Sequence, residues 1–229
     1  MSPSLTVVIP CYNEEYTIKQ LVARVLEQDA VREVIIINDA STDNSLKLIK
    51  EFQDQRIVCL ENPINLGKGA SVKKGFQIST SEYVLIQDAD LEYSPEEYSR
   101  LLNPLVSGYA DVVFGSRFLT YDSRRALYFW HRVGNKFLTL LSNMFTNIDL
   151  TDMETCYKVM RTDIAKQIDI KEKRFGLEPE LTAKLAKMKV RIYEVGISYR
   201  GRTYLEGKKI TWKDGISAIR CIIKYNLFK

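Results

Sequence analysis

The 229-residue chain is poor in several features that would each suggest a function. It has one histidine, His131, so a histidine metal cluster is excluded and a Ser-His-Asp triad would have to run through that residue. Its four cysteines, Cys11, Cys59, Cys156 and Cys221, form no C-x-x-C pair and are expected to be buried free thiols in a reducing compartment. No uncharged apolar run reaches the ~20 residues needed to span a bilayer. The longest candidate, Phe137 to Ile148, is interrupted by Ser142, Asn143, Thr146 and Asn147. The start, MSPSLTVVIPCYNEE, lacks the basic and apolar regions of a secretory signal. There is no internal repeat, linker or low-complexity tract. A protein that is soluble, or lies on a membrane without crossing it, is the expectation.

What is present is an ordinary globular composition, 45% hydrophobic and 27% charged. Disorder, collagen and disulfide-scaffold classes are excluded, and a single domain over residues 1–229 is expected. The net charge of +4 conceals a split. Residues 1–115 carry 10 Lys/Arg against 17 Asp/Glu, and residues 116–229 carry 23 against 12. An acidic first half and a basic second half raise the question of a polyanionic ligand or surface.

Short Val/Ile/Leu runs alternate with helical patterns through the first half. Strands are predicted at LTVVI (5–9), EVIIIN (33–38), RIVCL (56–60), YVLIQ (83–87) and DVVFG (111–115). Helices are predicted between them, with Asp43 and Ser94 as N-caps and Pro95 at a first helical position. Continuous apolar strands between helices indicate an α/β fold, a mostly parallel central sheet with helices on both faces, whose ligands lie at the strands' carboxyl ends. After Gly115 the rhythm changes. A long helix is expected over 124–147, bearing Leu127, Tyr128, Trp130, Phe137, Leu141 and Phe145. A strand (156–160), a helix (179–187), a strand (190–199) and a basic amphipathic tail follow.

Chemistry concentrates after the strands. In QDADLE (87–92), Asp88 and Asp90 stand at a strand's end, where two carboxylates can hold Mg²⁺ or Mn²⁺ and, through it, a diphosphate. Alone, a D-x-D pair does no more than solvate a turn. Here Asp39 follows the second strand, and Pro10, Tyr12 and Glu14 follow the first. Tyr12 is placed to flank a base and Asp39 to bond a base or ribose. Asn65-Leu66-Gly67-Lys68-Gly69 opens a helix with glycines that permit close backbone approach, though it matches no phosphate-loop motif and reads equally as a plain helix start. Glu178 and Glu180, in RFGLEPEL, are either catalytic carboxylates or acids favouring a helix N-terminus.

VVIPCYNEE, NDASTDNS, NLGKGAS, DADLEY and GSRF, in this order, resemble glycosyltransferase family 2, which has the GT-A fold. GSRF (115–118), HRVGN (131–135) and YRGRTYLEGKKI (199–210) are similar to segments of the polyprenyl-phosphate glycosyltransferases, such as dolichyl-phosphate mannose synthase and dolichyl-phosphate glucosyltransferase. The resemblance implies that Pro10, Tyr12, Glu14 and Asp39 hold the nucleotide, with Lys68, Asp88 and Ala89 beside them. It implies that Asp88 and Asp90 bind Mg²⁺ or Mn²⁺ and that Glu92 reaches the same metal. Arg117, Arg132 and Asn135 then bind an acceptor phosphate, and Arg202 and Lys209 lie near the donor diphosphate. Asp90 and Arg117, together with Glu178 and Glu180, are the catalytic candidates.

The activity so implied is inverting, metal-dependent transfer of a hexose from a UDP- or GDP-sugar to a polyprenyl phosphate. Residues 1–115 would serve the donor and 116–229 the acceptor, on the cytoplasmic face of a membrane and without nucleic acid. An acceptor phosphate is already ionised and needs arginines rather than a strong base, which suits a chain without a histidine relay. Transfer to a saccharide hydroxyl and catalytically silent binding of a nucleotide sugar are the rivals. The 199–210 segment reads R-x-x-x-x-G-K-K, without the serine of the mannose synthase pattern, so the sugar stays open.

Overall fold

The computed structural model describes residues 3–119, 125, 128–174, 176–203 and 212–228, excepting the side chains of Trp212 and Lys213. Lys209, Leu127 and Lys229, singled out in the sequence, lie outside these descriptions.

The first half alternates as its apolar runs predict: β1 (Leu5–Cys11), α1 (Ile18–Leu26), β2 (Val31–Asn38), α2 (Ser45–Lys50), β3 (Ile57–Glu61), α3 (Lys68–Ile78) and β4 (Tyr83–Ile86). A 3₁₀ turn at Pro95–Glu97 leads into α4 (Tyr98–Val106), followed by β5 (Val112–Ser116). The second half contributes α5 (Phe129–Thr146), β6 (Lys158–Arg161), α6 (Thr162–Gln167), α7 (Leu177–Lys187), β7 (Ile192–Gly196) and α8 (Trp212–Ile223), which continues as a π turn over Lys224–Phe228. The short α6 follows β6 directly and was not legible in the sequence. At α2 the cap position belongs to Asn44 rather than Asp43; the Asp43 carboxylate instead accepts the N–H groups of Ser45 and Glu15.

Seven strands form one sheet in the order β3-β2-β1-β4-β6-β5-β7. β1, β2, β3 and β4 run parallel, as do β5 and β7, while β6 is antiparallel to both of its neighbours. The sheet is thus mixed, and β5 is not beside β4 as a simple alternating series would have it. β1, β2 and β4 consist mostly of buried Val, Ile and Leu, which is why they read as unbroken apolar runs, while the edge strand β3 is only partly buried. The chain winds outward through β2 and β3 and returns to place β4 on the other side of β1. The carboxyl ends of β1 and β4 therefore flank the point where the strand order reverses, the place where such sheets bind ligands.

Two helices depart from ordinary amphipathic behaviour. α5 is fastened to the body through polar groups. Thr139 and Ser142 are buried, Thr139 Oγ1 accepts the Met153 N–H, and Asn143 exchanges hydrogen bonds with the Leu150 backbone. Its apolar residues Trp130, Val133, Phe137, Leu140 and Met144, three or four apart on one stripe, are exposed, Trp130 by 76% and Met144 by 72%. The tail packs Cys221 and Tyr225 against Ala183 of α7. Its basic face is not simply solvated: Arg220 and Lys224 both pair with Glu172, at 2.6 and 2.8 Å. Ile216, Leu227 and Phe228 are exposed instead.

Glu172 thus ties the tail to the segment before α7. Burial raises its carboxyl, but hydrogen bonds from Lys224, Arg220 and Tyr225 outweigh this and bring it down to about 2. A depressed carboxylate stabilises the fold above its unfolded range, and that contribution disappears as pH falls through the folded value. With Arg220 half exposed, Glu172→Gln is expected to lower stability by about 1–2 kcal/mol at pH 7. In denaturant titrations the difference from wild type should shrink from about pH 5 down to about pH 2; a gap as large at pH 2 as at pH 7 would contradict this.

Candidate active site

β4 ends in Gln87, Asp88, Ala89 and Asp90, and its two aspartates meet different partners. Lys68, in the first turn of α3, donates from Nζ to Asp88 Oδ1 at 2.8 Å and to Glu178 Oε1 at 2.9 Å. Arg202 donates from Nη2 to Asp90 Oδ2 at 2.6 Å, from Nε to Glu92 Oε1 at 3.2 Å, and from Nη1 to Glu14 Oε2 at 3.4 Å. Tyr199 Oη and the Arg202 N–H complete the shell of Glu92, at 2.7 and 2.8 Å. Glu92 thus shares Arg202 with Asp90, and its carboxylate is held by Tyr199 as well.

These partners set opposite proton affinities. Burial raises Asp88, but Lys68 overrides it and holds the carboxyl below its ordinary value. Asp90 is pushed up to about 7 by burial and by the charges of Asp88 and Glu92, against the pull of Arg202. Burial lowers the Lys68 ammonium, yet Asp88 and Glu178 raise it well above the usual range.

The Gly-rich turn works differently from the phosphate approach considered for it. Gly67 has φ +92°, and a Cβ there would stand 2.2 Å from the Lys173 carbonyl oxygen. A Cβ on Gly69 would stand 1.9 Å from the Glu172 carbonyl oxygen, and the Gly69 N–H donates to Lys173 O at 2.8 Å. The close neighbour is the backbone before α7. This contact aims Lys68 at Asp88 on one side and Glu178 on the other.

Asp39 sits 3% exposed behind the turn and accepts the N–H groups of Leu66 and Gly67 and the Asn62 amide. It fixes the turn, and the nucleoside role expected for it competes with these three bonds. Tyr12 is exposed, Pro10 lies within β1, and Ala89 accepts a hydrogen bond from Thr17 Oγ1 that joins the ends of β1 and β4. Asn13 and Ala40 have φ of 53° and 58°, so left-handed backbone follows both β1 and β2 at this edge.

On the other flank, Arg117 follows β5. Its Nε and Nη2 each donate to Asp152 at 2.7 Å, and Asp152 is wholly buried. The guanidinium lies 5.1 Å from the ring centroid of Tyr199. One tyrosine thus contacts Arg117 with its ring and Glu92 with its hydroxyl. Arg132 and Asn135 occupy the first turns of α5, Arg132 exposed and Asn135 half-buried. Glu178 and Glu180 part company. Glu178 faces Lys68, whereas Glu180 is fully buried and accepts the N–H groups of Lys171 and Glu172 at 2.8 and 2.7 Å. Glu180 orders the segment before α7 and also pairs with Lys184. Sequence reasoning missed Asp152 and Tyr199; the pairing of a buried acid with Arg117 had no local spacing signal.

Among the described residues no three His, Cys, Asp or Glu side chains converge as a metal cage. Asp88 and Asp90 still present hard carboxylate oxygens at one strand end, which suits Mg²⁺ or Mn²⁺ bound through one or two carboxylates and completed by phosphate oxygens. The donor set fits such an ion.

A sheet whose strand order reverses beside β1, with paired aspartates after β4, defines an α/β ligand-binding architecture. Residues 6–169 match the model of glycosyl transferase family 2, and the chain belongs to that family. It is 27% identical over 211 residues to the undecaprenyl-phosphate 4-deoxy-4-formamido-L-arabinose transferase of Proteus mirabilis, covering 89% of this chain and 62% of that protein. It is 28% identical over 208 residues to the low-salt glycan biosynthesis hexosyltransferase Agl6 of Haloferax volcanii, covering 88% and 49%. The chain thus spans about 60% or less of these relatives' lengths. Its fold is the GT-A fold, shared with Mycobacterium tuberculosis glucosyl-3-phosphoglycerate synthase, a structure containing Mn²⁺, UDP and phosphoglyceric acid, at a TM-score of 0.76, 16% identity and 99% and 80% coverage. No described helix is long and apolar enough to cross a membrane.

Gly69→Ala is expected to destabilise the fold by about 1–3 kcal/mol, because backbone rather than a flexible side chain opposes the new Cβ. An unchanged melting midpoint would show that the 172–173 backbone does not hold Lys68 in place.

Proposed function

We propose that this chain transfers a hexose, with inversion, from a UDP- or GDP-sugar to a polyprenyl phosphate at a membrane surface. The observation that carries the reading is the juxtaposition, in one chain, of a donor edge and a lipid-suited flank. At the donor edge, Lys68 and Arg202 neutralise Asp88 and Asp90. On the other flank, α5 carries Arg132 within an exposed apolar stripe. The undecaprenyl-phosphate transferase named above supports the acceptor class.

Residues 1–115 serve the donor in this reading. Tyr12 covers the base, Glu14 and the turn fixed by Asp39 border the nucleoside, and Asp88 and Asp90 hold Mg²⁺ or Mn²⁺. The bound ion supplies charge neutralisation at the departing diphosphate. When the diphosphate binds there, Lys68 and Arg202 exchange carboxylate partners for its oxygens, so positive charge already stationed at the edge stabilises the leaving group. Lys209 belongs to the same basic segment.

Residues 116–229 serve the acceptor. Arg117 has five N–H donors, of which two serve Asp152, and the rest are available to a phosphate. Asp152 fixes the orientation of the guanidinium, and Arg132 and Asn135 add contacts from α5. The phosphate oxygen attacks the anomeric carbon as an anion, so no histidine is needed to deprotonate it. The stripe from Trp130 to Met144, with Ile216, Leu227 and Phe228, offers apolar surface to the polyprenyl chain and the membrane interface. Such a site belongs on the cytoplasmic face, where nucleotide sugars are available.

A panel of UDP- and GDP-hexoses incubated with a short polyprenyl phosphate and Mn²⁺, with products identified by mass, tests the reading. A hexosyl-phosphoryl-polyprenol is expected. Product only with a saccharide acceptor would replace the acceptor assignment, and binding without product would make the chain a silent nucleotide-sugar binder. Asp90→Asn should lower turnover at least about 100-fold while the melting midpoint remains near that of the wild type; retained activity would remove Asp90 from the metal site.

A further inference from the structure

The antiparallel strand β6 brings a segment to the site that the preceding roles do not use. Lys158, its first residue, pairs with Phe114 of β5, and Val159 pairs with Leu85 of β4. Because β6 runs against its neighbours, the residues that lead into it, 152–157, lie at the edge where β4 delivers Asp88 and β5 delivers Arg117. Both flanks are fastened to this lead-in. Asp152 holds the Arg117 guanidinium, and Cys156 Sγ donates to Ile86 O at 3.7 Å, two residues before Asp88.

Glu154 lies midway between these anchors. Lys158 Nζ donates to the carbonyls of Met153 and Thr155, which fixes the backbone on either side of Glu154. The same ammonium lies 4.6 Å from the Phe114 ring centroid, so it is held from below. Residue 154 stands in the chain between Asp152, which holds the acceptor-side Arg117, and Cys156, which reaches Ile86 just before Asp88, so the backbone sets it between the two flanks. Its Oε1 is sealed from solvent and has no hydrogen-bond partner among the described residues. Burial, reinforced by Glu178, pushes this carboxyl up to about 8.

A buried polar oxygen without a protein partner is costly and is satisfied by water, an ion or a bound ligand. Resting on the donor reading above, we propose that Glu154 determines sugar specificity by hydrogen-bonding hydroxyls of the donor hexose. The transferred ring has to lie between the diphosphate, held by Lys68 and Arg202, and the acceptor phosphate, held by Arg117, and Glu154 occupies that interval. Lys68, Arg202 and Arg117, the cations that flank the interval, can only donate. A carboxyl accepts from hydroxyls and, when protonated, donates to them as well. A site built to bond one hydroxyl geometry rejects an epimer strongly, because the mismatched sugar leaves buried groups unpaired.

Calorimetric titration in Mn²⁺ tests this on the full chain with UDP, UDP-glucose, UDP-galactose, GDP and GDP-mannose. Glu154→Gln should leave the bare diphosphate's affinity within about twofold, lower the preferred sugar nucleotide's at least about tenfold, and narrow the discrimination between epimers. Retained diphosphate binding also reports an intact fold. Glu154→Asp, which withdraws the carboxyl by one methylene, should give a smaller loss of the same kind. Equal losses for diphosphate and sugar nucleotide would overturn the subsite and leave the donor reading standing. Undiminished sugar-nucleotide affinity with a fallen kcat would overturn it in favour of proton transfer. Wild-type protein that binds neither UDP nor GDP would contradict the donor reading itself, and this inference with it.

Discussion

Two aspartates delivered by one strand end repel each other, and the site depends on the cations that separate them. Lys68 takes Asp88 and Arg202 takes Asp90, and each cation is itself fixed by a further acid, Glu178 for the first and Glu92 for the second. Neither lysine nor arginine reaches its acid through local sequence. Lys68 is aimed by two glycines pressed against the Glu172–Lys173 backbone, and Arg202 is clamped at its own N–H by Glu92. Each cation keeps a second acid when one partner is removed, so the partly buried network spreads its charge over several contacts rather than resting on one pair.

The same logic organises the second half. Arg117 would be costly to bury alone, so Asp152 accompanies it, and Tyr199 joins that pair to Glu92 and hence to Arg202. β6 makes this possible. Reversing one strand between β4 and β5 lays its lead-in along the carboxyl edge, where a parallel strand would have presented only its exit. The tail joins through Glu172, which also belongs to the segment that aims Lys68. Docking of α8 and placement of Lys68 thus share one stretch of chain.

Much of the donor edge was legible because it is local. The unbroken apolar runs in β1 and β2 and the acids directly after them follow from strand periodicity and burial. The reversed β6 was not legible: Lys158 to Arg161 is a four-residue strand whose direction depends on tertiary pairing. Glu178 and Glu180 looked equivalent at the start of one helix, yet two residues of helical rotation carry them to different neighbours. The aromatic content of α5 does not reveal which of its faces is covered. Thr139 and Ser142, the residues that are buried, were the quieter signal. The tail is basic and amphipathic in sequence, and only tertiary contact shows Arg220 and Lys224 sharing Glu172.

The central claim is that Lys68 and Arg202 exchange carboxylates for diphosphate oxygens when the donor binds. Mn²⁺ affinity measured by calorimetry, alone and in the presence of saturating UDP or GDP, tests it most directly. Competition from the two cations predicts weak Mn²⁺ binding alone and at least about tenfold tighter binding with the nucleoside diphosphate. Equal Mn²⁺ affinity in both conditions would contradict the exchange.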